Sequence, residues 1–173
     1  MEDSLDATEA HTFAAVGLAL TRWEVMEAGL ADLYSVLRGQ PFDKRVVVGF
    51  GQRHSTTTNR IAGVARSADR YFTRWPDQER EGELGRLLIA VAERALDRHR
   101  IAHGLVDLVH FGTASGGIVS GHALVAPWYA ESRLRMGVND AWPSAAITNA
   151  SDRFVELDRR ITTFINLLFA DHR

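Results

Sequence analysis

Apolar residues that recur every three or four positions are the feature of this sequence that most constrains its fold. In the N-terminal part the spacing continues over about six helical turns. The residues that carry it are Val16, Leu20, Trp23, Met26, Leu30, Leu33 and Leu37. This spacing places the side chains on one face of a single long helix. Gly39 and Pro41 follow, and both are typical of a helix end.

The same spacing predicts further helices along the chain. Residues 59–72 carry an apolar face, and the Ser/Thr-rich residues 55–58 can cap its start. A long helix is predicted from Asp77 to a stop at Gly104, and the last helix is predicted from about Asp152. The segment 42–51 is ambiguous because its three valines would also suit a strand. We interpret it as a short helix, since a lone short strand has no obvious partner.

The helical spacing disappears between residues 105 and 147, a stretch that Gly112, Gly116, Gly117 and Gly121 interrupt. Residues 105–111 and 118–126 are predicted to pair as a hairpin. The predicted fold class is therefore all-α, an antiparallel bundle of four to five helices with a small β-hairpin or loop insertion before the last helix. A chain of 173 residues closes one core comfortably, so residues 1–173 are predicted to form a single domain with its insertion at about 105–147.

Composition excludes several classes of function. The chain has no cysteine, which excludes disulfides, thiolate metal sites and cysteine nucleophiles. It shows neither a signal-peptide pattern nor an apolar run of about 18 residues, so we expect a soluble, cytoplasmic protein with no membrane partner. The formal net charge is -2. A nucleic acid would therefore have to bind a local basic patch, because no global positive field attracts it.

One local basic patch stands at the end of the helix that Gly104 stops, where residues 98–103 read Arg-His-Arg-Ile-Ala-His. The apolar face of the helix becomes polar there, at Arg98 and His99. A guanidinium buried without a partner would be costly, so something must compensate its charge. Two hypotheses follow. Either Arg98 pairs with a carboxylate or with helix C-terminal carbonyls while the histidines face the negative helix end, or the cluster lines a functional pocket.

The run from Arg98 to Gly104 resembles the Arg-Asn-x-Ile-Ala-His-Gly signature of HEPN-domain proteins (higher eukaryotes and prokaryotes nucleotide-binding). In that family an Arg is followed by a polar residue, usually Asn but sometimes Asp or His, and then by a His. The resemblance extends over most of the chain. It includes Trp-Glu-Val-Met-Glu at 23–27, the motif late in a central helix, the inserted hairpin and the closing helix.

The resemblance implies a helical-bundle fold and, in active members, metal-independent endoribonuclease activity that needs no cofactor. Such proteins frequently act in toxin–antitoxin, abortive-infection or other anti-phage defence systems. Carried over, Arg98 and His103 are the catalytic pair, and His99 occupies the polar second position in place of the usual Asn. Arg94 and Arg100 are the neighbouring candidate supporting or binding residues. The resemblance also implies a homodimer with facing motifs, and it makes RNA or a nucleotide and an antitoxin protein candidate partners.

The chemistry is reasonable on independent grounds. Cleavage of RNA by its own 2′-hydroxyl needs a group of near-neutral pKa to move protons and a fixed cation to stabilise the phosphorane charge. His103 and Arg98 supply these without a metal. However, residues five apart lie about 140° around a regular helix. Either the helix loosens before Gly104, or a second protomer completes the site.

Two other interpretations stay open. His99 and His103 are four residues apart and would share a helix face, so with His110 or His122 they could bind a metal ion. Arg98 and neighbouring cations would repel such an ion, which makes this the weaker hypothesis. The other alternative is a non-catalytic helical dimer module that binds a nucleotide, RNA or a protein partner.

Overall fold

The structure is a computed structural model that describes residues 8–112, 116–127 and 141–170. Within these residues the elements are α1 (Glu9–Leu37), α2 (Lys44–Arg53), α3 (Thr57–Arg74), α4 (Gln78–His103), β1 (Leu105–Gly112), β2 (Ile118–Val125), β3 (Trp142–Pro143) and α5 (Ser144–Ala170). The prediction of a mostly helical chain with a hairpin before the last helix is confirmed. The all-α class is too narrow, because the three strands form an antiparallel sheet in the order β1-β2-β3.

None of the described helices has a stretch that is both long and apolar enough to cross a membrane.

The predicted end of the first helix is confirmed at Gly39. This glycine has a φ of 69°, which a residue with a side chain rarely adopts. Its N–H donates to the carbonyl of Val36 at 2.8 Å, and the N–H of Gln40 donates to the carbonyl of Ser35 at 3.0 Å. These two hydrogen bonds satisfy carbonyls that the helix leaves without partners, and they end α1.

Side-chain caps explain where α2 and α3 begin. The Asp43 carboxylate accepts a hydrogen bond from the Arg45 N–H at 2.7 Å, so the ambiguous segment forms a helix as we interpreted it. The Thr56 hydroxyl accepts from the Asn59 N–H at 3.2 Å. The cap predicted among residues 55–58 is therefore confirmed.

The predicted start of the last helix is wrong. Helix α5 begins at Ser144 and not at about Asp152. Ile147, Ala150 and Ser151 are fully buried, and they extend toward the N-terminus the apolar face that Phe154 begins. Two of these three residues, Ala150 and Ser151, are small, so the sequence pattern is too weak to indicate a helix.

The described residues divide into two compact units. The hairpin unit comprises the described residues of 1–22 and 97–152, and therefore includes the sheet and the end of α4. The helical unit comprises residues 23–96 and 153–170. Helices α1, α4 and α5 each contribute residues to both units.

The helical unit has an aromatic core and contains a buried ion pair. Trp23 is 1% exposed, and its ring meets the Phe154 ring edge to face with centroids 5.1 Å apart. The Glu27 carboxylate is buried, pairs with Arg60 and accepts a hydrogen bond from the Thr57 hydroxyl at 2.8 Å. Partners on both carboxylate oxygens offset the cost of burying this charge.

The hairpin unit is organised by β2. This strand pairs with β1 from Leu105↔Val125 to Gly112↔Ile118, and with β3 at Leu124↔Trp142. Ala123, Val125 and Ala141 form a small buried cluster. The buried Thr12 hydroxyl in α1 donates to the His122 carbonyl at 3.3 Å, which ties the start of α1 to the sheet.

We expect two glycine substitutions around α4 to have opposite effects on stability. A Cβ at Gly104 would lie 2.5 Å from Cγ of Leu124, so Gly104→Ala should lower the free energy of unfolding by about 1–3 kcal/mol. A Cβ at the exposed Gly85 would meet no atom within 4 Å. Gly85→Ala should therefore raise stability by about 0.5–1 kcal/mol, because alanine favours the helix. Urea unfolding measures both, and shifts of the same sign would contradict this packing.

Candidate functional site

Helix α4 carries the predicted motif in a regular conformation to its end. The α-helix continues to His103, and the N–H of Gly104 donates to the carbonyl of Arg100 at 3.0 Å. One of the two sequence hypotheses required the helix to loosen before Gly104. The structure shows that it does not. Arg98 and His103 of the same chain therefore remain about 140° apart around the helix axis.

The pair that the structure brings together is His99 with His103. Both side chains are exposed, and their ring centroids are 4.5 Å apart. They meet because residues four apart lie on the same helix face. Imidazole nitrogens either donate or accept protons, so this surface offers two proton-transfer groups side by side.

Arg98 lies on a more interior part of the same helix end. Its side chain is half-buried, and its Nε atom is shielded from solvent. Ile101, one turn later on the same face, is 1% exposed. A guanidinium that is partly withdrawn from water acts on a nearby anion more strongly than an exposed one.

Arg100 links the end of α4 to the sheet. The guanidinium carbon of this exposed residue lies 4.7 Å from the centre of the Trp142 ring in β3. The contact is a cation–π interaction, which orients the arginine. Sequence reasoning missed Trp142 because nothing in the spacing joins two residues so far apart in the chain.

Arg94 belongs to the helical unit. It is half-buried, and its Nη2 atom lies 3.9 Å from Oε2 of Glu93. An ion pair at this distance near the surface contributes little to stability. Arg94 therefore stays a candidate supporting residue by its position in the sequence.

The described residues do not assemble the suggested metal site. Within 8–112, 116–127 and 141–170, no three His, Cys, Asp or Glu side chains are grouped so that they could hold an ion. The Nδ1 atom of His110 instead lies 2.7 Å from the Ser120 hydroxyl across the β1–β2 ladder. His99 and His103 are therefore two neighbouring imidazoles without a third ligand among the described residues.

The arrangement supports proton transfer beside a basic surface. The two imidazoles and Arg100 are exposed to solvent at the end of α4. The partly buried Arg98 lies on another side of the same helix end. An anion such as a phosphodiester would find both hydrogen-bond donors and a proton acceptor there. Comparison of the chain with protein-family models, with curated proteins and with solved structures gives no match.

Proposed function

We propose that this chain is a metal-independent endoribonuclease of the HEPN type that cleaves RNA with Arg98 and His103. The observation that carries the proposal is the exposure of His103 at the end of α4, beside a second imidazole, His99. A general acid or base must reach the proton that it transfers, and a solvent-facing imidazole meets this requirement.

The proposed reaction uses the RNA as its own nucleophile. His103 takes the proton of the 2′-hydroxyl, and the 2′-oxygen forms a bond to phosphorus. The Arg98 guanidinium stabilises the negative charge that grows on the phosphorane oxygens. The bond from phosphorus to the 5′-oxygen then breaks, and that oxygen takes a proton from protonated His99 or from water. The products carry a 2′,3′-cyclic phosphate and a 5′-hydroxyl.

The proposal includes a homodimer. Because α4 is regular to its end, one protomer presents Arg98 and His103 in different directions. A two-fold axis near this helix end would place Arg98 of one protomer opposite His103 of the other, and would form two equivalent sites. An antiparallel helical bundle, a cytoplasmic location, and an antitoxin partner in a toxin–antitoxin or anti-phage system belong to the same proposal.

Incubation of the purified chain with total RNA in EDTA tests the proposal. We expect cleavage that the chelator does not prevent, and fragments that mass spectrometry identifies by their 2′,3′-cyclic phosphate ends. Fragments with 3′-hydroxyl ends, or activity that EDTA abolishes, would contradict the mechanism. Intact RNA after incubation with the wild-type chain would contradict the enzyme function itself.

The second candidate function is binding of RNA without cleavage. The observation that favours it is Arg100 over Trp142, because guanidinium and aromatic faces both hold single-stranded bases. In that case a fluorescent single-stranded oligonucleotide should bind the wild type and remain intact. Its affinity should fall in Arg100→Ala but not in His103→Ala.

A further inference from the structure

A cleft lies at the turn between α3 and α4, within the helical unit. Its volume is about 470 Å³, which falls within the range of about 300–1,000 Å³ that small-molecule sites occupy. Its walls include Tyr71, Arg74, Trp75, Asp77 and Arg80. The proposed RNA-cleaving cluster contains none of these residues, so the cleft needs its own explanation.

One wall of the cleft is the indole of Trp75, which is exposed to solvent but fixed in position by its neighbours. Trp75 is 41% exposed, whereas Tyr71 is 7% exposed and its ring centre lies 5.0 Å from that of Trp75. Tyr71 in turn packs edge to face on buried Phe72, with centroids 5.2 Å apart. These contacts fix the indole while much of its surface faces water. A fixed aromatic surface can stack on a flat ring with little further loss of side-chain entropy.

The phenol of Tyr71 is neutral at physiological pH. Burial raises its pKa, Arg80 opposes this rise, and Asp77 adds to it. The residue therefore adds an aromatic wall to the cleft without adding a charge.

The cleft also carries the guanidinium of Arg74, which has no ion-pair partner among the described residues. The guanidinium carbon of Arg74 lies 4.5 Å from the centre of the Trp75 ring, and among the described residues this guanidinium makes no hydrogen bond or ion pair. Arg80, by contrast, places Nε 3.3 Å from Oδ2 of Asp77. Asp77 thus neutralises Arg80, and the N–H groups of Arg74 can donate to an anion.

We propose that this cleft binds a nucleotide, with its base stacked on Trp75 and its phosphate accepting hydrogen bonds from Arg74. A flat ring and an anionic group joined by a short spacer match the indole and the adjacent guanidinium. The bound nucleotide can come from two sources, a free mononucleotide or the terminal nucleotide of an RNA strand. The site does not depend on RNA cleavage by His103.

Calorimetric titration of the full chain with AMP, adenosine and inorganic phosphate tests the inference. We expect AMP to bind at least about fivefold more tightly than adenosine or phosphate, because it alone engages both groups. A short RNA that carries a 5′-phosphate identifies the source. Tighter binding of this RNA than of AMP indicates a strand end, and the reverse indicates a free nucleotide. Equal binding of adenosine and AMP, or no binding of AMP at millimolar concentration, would overturn the proposal.

Matched variants locate the binding. Trp75→Ala should weaken AMP binding about 5- to 100-fold, and Trp75→Phe should retain part of the affinity. Arg74→Gln should weaken binding of AMP but not of adenosine. Ile89→Ala, at an exposed apolar residue of α4, is the control and should change neither. Thermal melting of each variant verifies that it is folded.

His103→Ala separates this inference from the proposed function. Full AMP affinity in that variant supports a site in the cleft, whether or not the wild type cleaves RNA. Loss of AMP binding in His103→Ala with retention in Trp75→Ala would place the nucleotide at the histidines and overturn the inference.

Discussion

RNA cleavage by the His103→Ala variant should be slower than wild-type cleavage by about two to four orders of magnitude, which is the usual contribution of a general acid or base. The side chain is exposed, so its removal should change the free energy of unfolding by less than about 0.5 kcal/mol. The loss of activity therefore reports on chemistry and not on folding. Initial rates on a defined single-stranded oligonucleotide in EDTA measure it.

Three further variants show whether that result is specific to His103. His11→Ala removes another exposed histidine and should retain the wild-type rate. His99→Ala should have a smaller effect than His103→Ala, because water can replace His99 as the proton donor to the leaving oxygen. Arg98→Lys keeps a positive charge at the half-buried position but loses the guanidinium fork, so it should fold while the rate falls. A His103→Ala variant as fast as His11→Ala would exclude His103 from catalysis.

Truncation of Trp23 should have the largest effect on stability. Trp23→Ala removes a 1% exposed indole from its contact with the fully buried Phe154, and it should lower the free energy of unfolding by about 3–5 kcal/mol. A loss of this size is a large part of the total stability of a typical domain. Urea denaturation, followed by circular dichroism, measures the change.

The control is on the same helix. Val25 is 52% exposed, so Val25→Ala should change stability by less than about 0.5 kcal/mol. A double-mutant cycle with Phe154→Ala should give a coupling of about 0.5–1.5 kcal/mol for the edge-to-face contact. A destabilisation below about 1 kcal/mol by Trp23→Ala would contradict the packing of this core.

Elements with strong local signals were predictable from the sequence, as were the helices with apolar spacing and the glycine-bounded hairpin, whereas elements with weak local patterns were not. The apolar spacing through Trp23 and Leu30, with Gly39 at its end, predicts α1 because each signal is local to the helix. The start of α5 at Ser144 was missed because alanine, serine and threonine dominate its first turns. Strand β3 has only two residues and forms through its pairing with β2, which a local pattern does not reveal.

The candidate residues were chosen from the sequence, whereas their geometry depends on the fold. The spacing of His99 and His103 already places them on one face, and the structure brings their rings together. The contact between Arg100 and Trp142 depends on the fold of the hairpin unit and leaves no local trace. Likewise, Trp75 with Pro76 indicates a turn, whereas the cleft arises from how the ends of α3 and α4 pack.

The central claim is that Arg98 and His103 of opposite protomers act on one phosphate, and a mixed dimer tests it most directly. Co-expression of Arg98→Ala and His103→Ala chains with different affinity tags allows purification of the heterodimer. Such a dimer has one site with both residues and one site with neither. Its RNA-cleavage rate should therefore be about half that of the wild-type dimer, although each variant homodimer should be far slower than the wild type. A heterodimer no faster than either variant homodimer would contradict the claim.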